Sequence, residues 1–366
     1  MNSIDTKNTE ISFSSNGVRL TFKQWIFAAI ICITTIIALP SAWKLVEKFE
    51  PGDDYRQPYQ LGSDYWFYER YSKVACMEYE TVLLGDSVIW GHYVPKDKTL
   101  SHYLNELTSE NKFANLGVDG MHPAALEGLV RYYGKAIQNK NVILHLNLLW
   151  LSSPKHDLQT EKEFRFNHPK LVSQFKTKIP CYTAPRLSRF VIALERPFSF
   201  PAWTSHLNIS YFNNTNMPTW TMNNPYKNPL DNFSRNLPDE DTYQKIEESE
   251  SSENKPAGGD FQWVQAETSL QWKFFRNTLE ILQKRKNEIL VLIGPFNEHM
   301  LSGESLDNYL KLKDEIEKWL KQNNISYYSP QTLPDEQYND ASHPTAEGYN
   351  TLAKELIESK KLVSTR

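Results

Sequence analysis

Cysteine is nearly absent, with three in 366 residues. That excludes the disulfide framework of small secreted domains. The spacing of the three also gives no metal-ligand pair, and nothing in the residue pattern calls for a metal or an organic cofactor. Cys32 lies in an apolar run, where a small buried hydrophobe fits. Cys76 and Cys181 either pair, in an oxidising compartment, or stay as buried free thiols. An excess of one charge is missing too: 40 Lys and Arg stand against 44 Asp and Glu, for a formal net charge of −4. A dedicated nucleic-acid binder needs a basic surface, so no nucleic-acid partner is expected. No internal repeat is visible.

Apolar residues make up 40% of the chain, enough for one large core or two modest ones. Aromatic residues reach 13%, with 10 Trp and 19 Tyr. They serve a well-packed core or a surface that stacks on sugars. The strongest gross feature is 24–43, QWIFAAIICITTIIALPSAW, which carries no charge. As a helix it spans roughly 30 Å, one bilayer core. Trp25 and Trp43 mark its ends, with Lys23 and Lys44 just outside, as interfacial anchors do. LPSAW is a poor cleavage site, which favours an uncleaved anchor over a signal peptide. Flanking positive charges balance: Lys7, Arg19 and Lys23 precede the run, and Lys44, Lys48 and Arg56 follow it. They set no orientation. The short preceding tail places the large C-terminal part outside the cytoplasm, as a single-pass membrane protein with an extracytoplasmic domain.

The expected organisation is a polar tail (1–23), the anchor (24–43), a stalk and entry segment (44–75), and one α/β domain split in two (76–153 and 267–366) around an insertion (154–266). Short apolar runs at 81–85 (TVLLG), 112–117 (KFANLG), 141–149 (NVILHLNLL), 288–294 (EILVLIG) and 325–329 (ISYYS) read as five buried parallel strands. Between and after them, Leu100, Tyr103, Leu104 and Leu107 fall at helical spacing. So do segments 123–138, opened by Pro123, 267–288, 305–322 and 345–359. Alternation of this kind implies a parallel sheet with helices on both faces. The insertion is rich in Pro, Asn and aromatics and shows no sustained period. Its stretch 239–260 holds eight acidic residues against two lysines, as a solvated mobile loop does.

A serine nucleophile needs a base, an oriented imidazole and an oxyanion hole. An open parallel sheet gathers such groups at the carboxyl ends of its strands. LLGDSV at 83–88 puts Ser87 there, at a helix start whose amide can bind an oxyanion; in isolation the tripeptide reads equally as a helix cap. DASHP at 340–344 spaces Asp340 and His343 so that the carboxylate can orient the ring and stabilise its protonated form. With both segments on one sheet, a Ser87–His343–Asp340 triad is the better reading.

GDSV near the start of the domain and DASHPTAEGY near its end resemble the first and last motif blocks of the SGNH/GDSL hydrolases. NLGVDG at 115–120 resembles the second block, whose last glycine gives an amide to the oxyanion hole; Gly120 is the match and Gly117 is structural. HLN at 145–147 falls where the family places its oxyanion asparagine. Asn147 is that match, although Leu146 and Leu148 replace the usual flanking Gly and Asp. The resemblance covers about 190 residues, split around the insertion. It implies a flavodoxin-like three-layer α/β/α sandwich with a parallel five-stranded sheet. It also implies attack by Ser87 on an acyl carbonyl, with Ser87, Gly120 and Asn147 holding the oxyanion.

GPFNEH at 294–299 follows the fourth strand, so Asn297 and His299 are candidates for substrate binding or for bracing a loop. Trp90 suits the core, His122 lies close to the oxyanion glycine, and His145 reads as a buried, satisfied ring. Trp203, Trp220, Tyr211 and Phe212 form a sugar platform or pack the insertion. The expected function is a membrane-anchored serine esterase that removes acyl groups, O-acetyl first among them, from an extracytoplasmic glycan. The alternative is acyl transfer by the same triad, since the layout is similar to membrane-anchored acyl-transfer proteins of polysaccharide or teichoic-acid modification. Those work beside a multi-pass O-acyltransferase, the implied partner. A third possibility is a non-catalytic glycan-binding or assembly protein.

Overall fold

A computed structural model of the protein describes residues 20–161, 167–233 and 261–362. The expectations for the first 19 residues and for 239–260 lie outside them. The chain divides into two compact units, Met1–Val46 and Glu47–Arg366.

The first unit contains helix α1 (Phe22–Val46). It is long and apolar enough to cross a membrane, at roughly 37 Å for its length. Trp25, Phe27, Ile30, Ile33 and Ile37 are exposed along it, as suits a helix solvated by lipid rather than by protein. Cys32 is exposed among them rather than buried.

The second unit is an α/β fold around a five-stranded, wholly parallel sheet. Its strands are β1 (Thr81–Leu84), β2 (Phe113–Asn115), β3 (Asn141–Leu146), β4 (Glu288–Ile293) and β5 (Ser326–Tyr328). Their order is β2-β1-β3-β4-β5. Connections leave in opposite directions from β1 and β3, which creates a crevice at the carboxyl ends of these neighbours. Successive side chains point to opposite faces. Val82 and Leu84 of β1, Val142 and Leu144 of β3, and Val291 and Ile293 of β4 enter one core. Leu83, Ile143, Leu290 and Leu292 enter the other.

The helices of this unit are α2 (Tyr65–Glu78), α3 (Ser87–Trp90), α4 (Leu100–Thr108), α5 (Pro123–Gly128), α6 (Arg186–Glu195), α7 (Ser199–Tyr211), α8 (Met217–Asn223), α9 (Leu270–Lys284), α10 (Gly303–Gln322) and α11 (Ala346–Glu358). Side chains of α2, α5, α9 and α10 fill the first core, while α3, α4 and α11 fill the second. Caps fix several starts. Thr99 accepts from the His102 amide, Ser269 from that of Trp272, and Thr345 from that of Gly348, each satisfying a donor that the first turn leaves open.

Three expectations change. Segment 44–75 is not a stalk beyond Val46. The buried ring faces of Tyr65, Trp66, Phe67, Tyr68 and Tyr71 require cover, and Arg56 is buried with its guanidinium donating to the carbonyls of Trp90, Gly91 and Val94. The helix expected over 123–138 stops at Gly128 and continues as a π-helical turn, Leu129–Tyr133. Gly128 lies against the insertion, where a Cβ would come within 2.0 Å of the Leu171 carbonyl oxygen, and Arg285 donates to the carbonyls of Val130 and Gly134 that the ending helix frees. The insertion, finally, contains α6, α7 and α8, helices of 10, 13 and 7 residues, too short to show a sustained period.

A buried ionic cluster joins α7 to the start of the unit. His206 Nδ1 lies 2.6 Å from Asp64 Oδ2, and its Nε2 lies 2.8 Å from Glu47 Oε1. Glu47 also receives Arg70 at 2.5 Å and the Tyr211 hydroxyl. Burial pushes the His206 pKa down, but the two carboxylates more than reverse this, to about 9. The protonated ring and Arg70 then balance both carboxylates, the condition under which buried charges are tolerated.

Candidate active site

Strand β1 ends at Leu84, and Gly85-Asp86 leads directly into the single turn of α3. Asp86 caps that turn by accepting from the Val88 amide at 3.1 Å. Ser87 is thereby the first helical residue, with its Oγ 2.8 Å from His343 Nε2. His343 Nδ1 lies 2.7 Å from Asp340 Oδ2. A carboxylate only accepts, so Nδ1 carries the proton and the neutral ring presents the Nε2 lone pair to the serine hydroxyl. Asp340 Oδ1 also accepts from the amides of Ser342 and His343, each at 2.9 Å, so its own turn fixes it. Burial pushes the His343 pKa down, and Asp340, with smaller help from Asp86 and Asp119, holds it above the ordinary histidine value. Burial likewise works against ionisation of Asp340, and His343 overcomes it to keep the carboxyl below its ordinary value.

The loop that carries the pair is braced from β4. The Asn297 amide donates to the Ala341 carbonyl at 2.8 Å, its side chain donates to Asp335 at 2.8 Å, and His299 Nε2 donates to the Leu333 carbonyl at 3.0 Å. Asn297 and His299 therefore brace this loop through these contacts. On the other side the Tyr349 hydroxyl of α11 donates to the Val88 carbonyl at 2.7 Å, tying the helix after His343 to the turn after Ser87.

The remaining expected residues gather around the same turn. Asn147, at the end of β3, donates from Nδ2 to Asp86 Oδ2 at 2.8 Å and accepts the Leu149 amide on Oδ1 at 3.0 Å. The second amide hydrogen has no protein acceptor among the described residues. Gly120 sits in the loop after β2, which is held to β1 by a bond from the Val118 amide to the Gly85 carbonyl at 3.2 Å. Its φ of +68° suits glycine, and a Cβ there would lie 2.8 Å from Asn167 Nδ2. Among the described residues, neither the Ser87 nor the Gly120 amide donates to a protein acceptor, so both are open to a ligand.

Further residues, to which the sequence assigns no catalytic part, complete the arrangement. Asp86 is buried and receives Trp150 Nε1 at 2.8 Å beside Asn147. The His145 ring lies 3.2 Å away through Nδ1 while its Nε2 donates to the Gly294 carbonyl at 3.0 Å. Burial opposes the Asp86 charge, but His145 and the Asn147 amide bring its pKa down to about 2, so it stays an acceptor for Asn147. His92 Nδ1 lies 2.8 Å from Asp119 Oδ1, and the His92 ring centre is 5.2 Å from that of His343. No motif block contains His92. Its distance of only a few residues from Ser87 was the one available signal.

Other aromatic and histidine candidates pack. His122 caps α5 and donates from Nε2 to the Asn167 carbonyl at 3.1 Å, and burial lowers its pKa to about 4. Trp90 is buried beneath the Arg56 guanidinium, 4.0 Å from the ring centre. Trp203, Tyr211 and Phe212 are buried, with Trp220 edge-on to Phe212, which serves packing of the insertion. Cys76 and Cys181 are both buried, and no disulfide joins them. Among the described residues no group of three or more His, Cys, Asp or Glu side chains is placed to hold a metal ion. No protein-family model matches the chain, and no curated protein matches it as a relative.

Proposed function

We propose that the chain is a serine ester hydrolase of the SGNH/GDSL type, anchored by α1, which removes acyl groups from an extracytoplasmic glycan. The observation that carries this is the line Ser87 Oγ–His343 Nε2–Asp340, with contacts of 2.8 and 2.7 Å, at the carboxyl end of β1. The strand order, which is that of flavodoxin-like sheets, and the four resembling motif blocks support the family. The exposed apolar side chains of α1 support the anchor.

In this mechanism the Ser87 oxygen attacks the acyl carbon as its proton moves to His343 Nε2. The tetrahedral oxyanion takes hydrogen bonds from the amides of Ser87 and Gly120 and from the free hydrogen of the Asn147 side chain. Collapse expels the sugar oxygen, which takes the proton from His343 and leaves an acyl-Ser87. Water then attacks, giving its proton to His343, and the carboxylic acid departs as Ser87 regains that proton. Asp340 holds the tautomer throughout and stabilises the imidazolium. Acyl transfer is the same sequence with an acceptor hydroxyl in place of water.

The test is hydrolysis of a chromogenic acetyl ester by the detergent-solubilised chain beside Ser87→Ala. The expected result is loss of activity by about three orders of magnitude or more in the variant. Equal rates would defeat the proposal.

A further inference from the structure

Beside the triad stands a second imidazole in the same setting. His92 Nδ1 lies 2.8 Å from Asp119 Oδ1, so a neutral His92 ring carries its proton on Nδ1 and offers Nε2 as an acceptor. Among the described residues Nε2 has no protein partner. The two side chains are 17% and 23% exposed, partly open yet held. Several contacts hold them. The His92 amide donates to the Ser87 carbonyl at 2.9 Å, so this residue hangs from the nucleophile's own turn. Tyr93 follows with a φ of 67°, unusual for a bulky residue. Its ring stands edge-on to His92 and to His343, with centres 4.3 and 5.5 Å away. Asp119 precedes the oxyanion glycine, and its carbonyl accepts from His168 Nε2 at 3.1 Å. That ring is held in turn by the Tyr65 hydroxyl at 3.0 Å.

We propose that His92, oriented by Asp119, binds a hydroxyl of a polyol acyl acceptor while a neighbouring hydroxyl of the same molecule is positioned for attack on acyl-Ser87. This role rests on the serine chemistry proposed above and extends it to the acceptor. The geometry behind it is a pair of Asp-oriented imidazoles with ring centres 5.2 Å apart, the Nε2 of one committed to Ser87 and the Nε2 of the other to no protein group among the described residues. In the transfer step the attacking hydroxyl forms the new C–O bond and gives its proton to His343 Nε2. The bond from Ser87 to the acyl carbon then breaks, and the Ser87 oxygen recovers that proton. The second hydroxyl donates a hydrogen bond to His92 Nε2 and keeps its proton. A polyol fills both positions with one molecule, whereas a water at the attacking position carries no second hydroxyl for His92, so this contact favours a sugar-like acceptor where one is bound and leaves hydrolysis to water where none is.

The test reads a product ratio, which does not depend on how fast the acyl-enzyme forms. The full-length chain in detergent is acylated with p-nitrophenyl acetate in the presence of methanol or of methyl glucopyranoside, and the acetylated acceptor is measured against free acetate. The expected result is that His92→Gln and Asp119→Asn each lower the glucoside ratio at least tenfold and change the methanol ratio less than twofold. Two variants guard against a folding defect in one, and acetylation of Ser87 observed by mass spectrometry certifies each. A glucoside ratio that stays put, or falls no more than the methanol ratio, overturns the acceptor role while acetyl-Ser87 still forms. A wild-type chain that never forms acetyl-Ser87 overturns the serine chemistry and the acceptor role together.

Discussion

The Asn147 side chain donates to the Asp86 carboxylate across 2.8 Å, joining the end of β3 to the residue just before Ser87. Asp86 thus has two tasks: capping α3 and holding one amide hydrogen of Asn147, which leaves the other for the proposed oxyanion hole. Asn147→Ala is expected to lower kcat by roughly 10²–10³ with a small change in KM. Asp86→Asn would turn an amide of its own towards Asn147 and Trp150, and is expected to lower kcat while costing about 1–3 kcal/mol of stability. Steady-state kinetics and denaturant melts check both. Wild-type kcat in either variant would contradict this assignment.

The pH dependence follows from His343. The ring must be neutral to accept the Ser87 proton, and its pKa lies above the ordinary histidine value, with Asp340 the main force against burial. Activity should therefore fall as pH drops through that raised pKa. Asp340→Asn removes the raising carboxylate, so the acid limb should move to lower pH while the plateau drops by about 10³–10⁴. A pH profile of kcat/KM on an acetyl ester measures both. An unmoved acid limb would separate Asp340 from His343.

The buried cluster around His206 predicts a stability change on the alkaline side. Its folded pKa of about 9 exceeds the ordinary value near 6.5. The stabilisation is thus fully present below about 6.5 and is lost as pH rises through about 9. Glu47 works in the opposite sense: its pKa is lowered despite burial, through His206, Tyr211 and Arg70, so its contribution fades only in acid. His206→Leu leaves two carboxylates facing one guanidinium and is expected to cost about 3–5 kcal/mol near neutrality. Thermal melts across pH check it. A variant that keeps the wild-type alkaline decline would show that another group causes it.

Gly128 predicts a steric effect. Its Cβ position lies 2.0 Å from the Leu171 carbonyl oxygen, and backbone cannot yield cheaply. Gly128→Ala is expected to destabilise by about 1–3 kcal/mol or more, although alanine is the better helix former. Chemical denaturation measures this, and a stabilised variant would contradict the close approach of the insertion.

The strands were legible because a sheet covered on both faces demands unbroken apolar runs, and TVLL, NVILHL and EILVLI have no other use in a chain of this composition. Asp340 and His343 were legible because they act within one turn. The pairing of Asp86 with Asn147, and of His92 with Asp119, was not, since the sheet closes each contact across dozens of residues and a single sequence carries no trace of it. Segment 44–75, which contains α2, reads as a stalk in the sequence because Pro51, Gly52, Asp53 and Asp54 break structure near the membrane. The structure shows Arg70 neutralised by Glu47, a contact that makes the helix fit for burial. Asn297 and His299 follow a strand, a position that fits substrate binding and loop bracing alike, and the loop carrying the Asp340–His343 pair uses their polar atoms.

The most direct measurement is covalent. The full-length chain is incubated with a fluorophosphonate, which captures serines activated by a neighbouring base, and the modified peptide is sequenced by mass spectrometry. Stoichiometric labelling at Ser87, abolished in Ser87→Ala and strongly slowed in His343→Ala, is the predicted result. No label on the folded wild-type chain, or a label on another serine that persists in Ser87→Ala, would contradict the account.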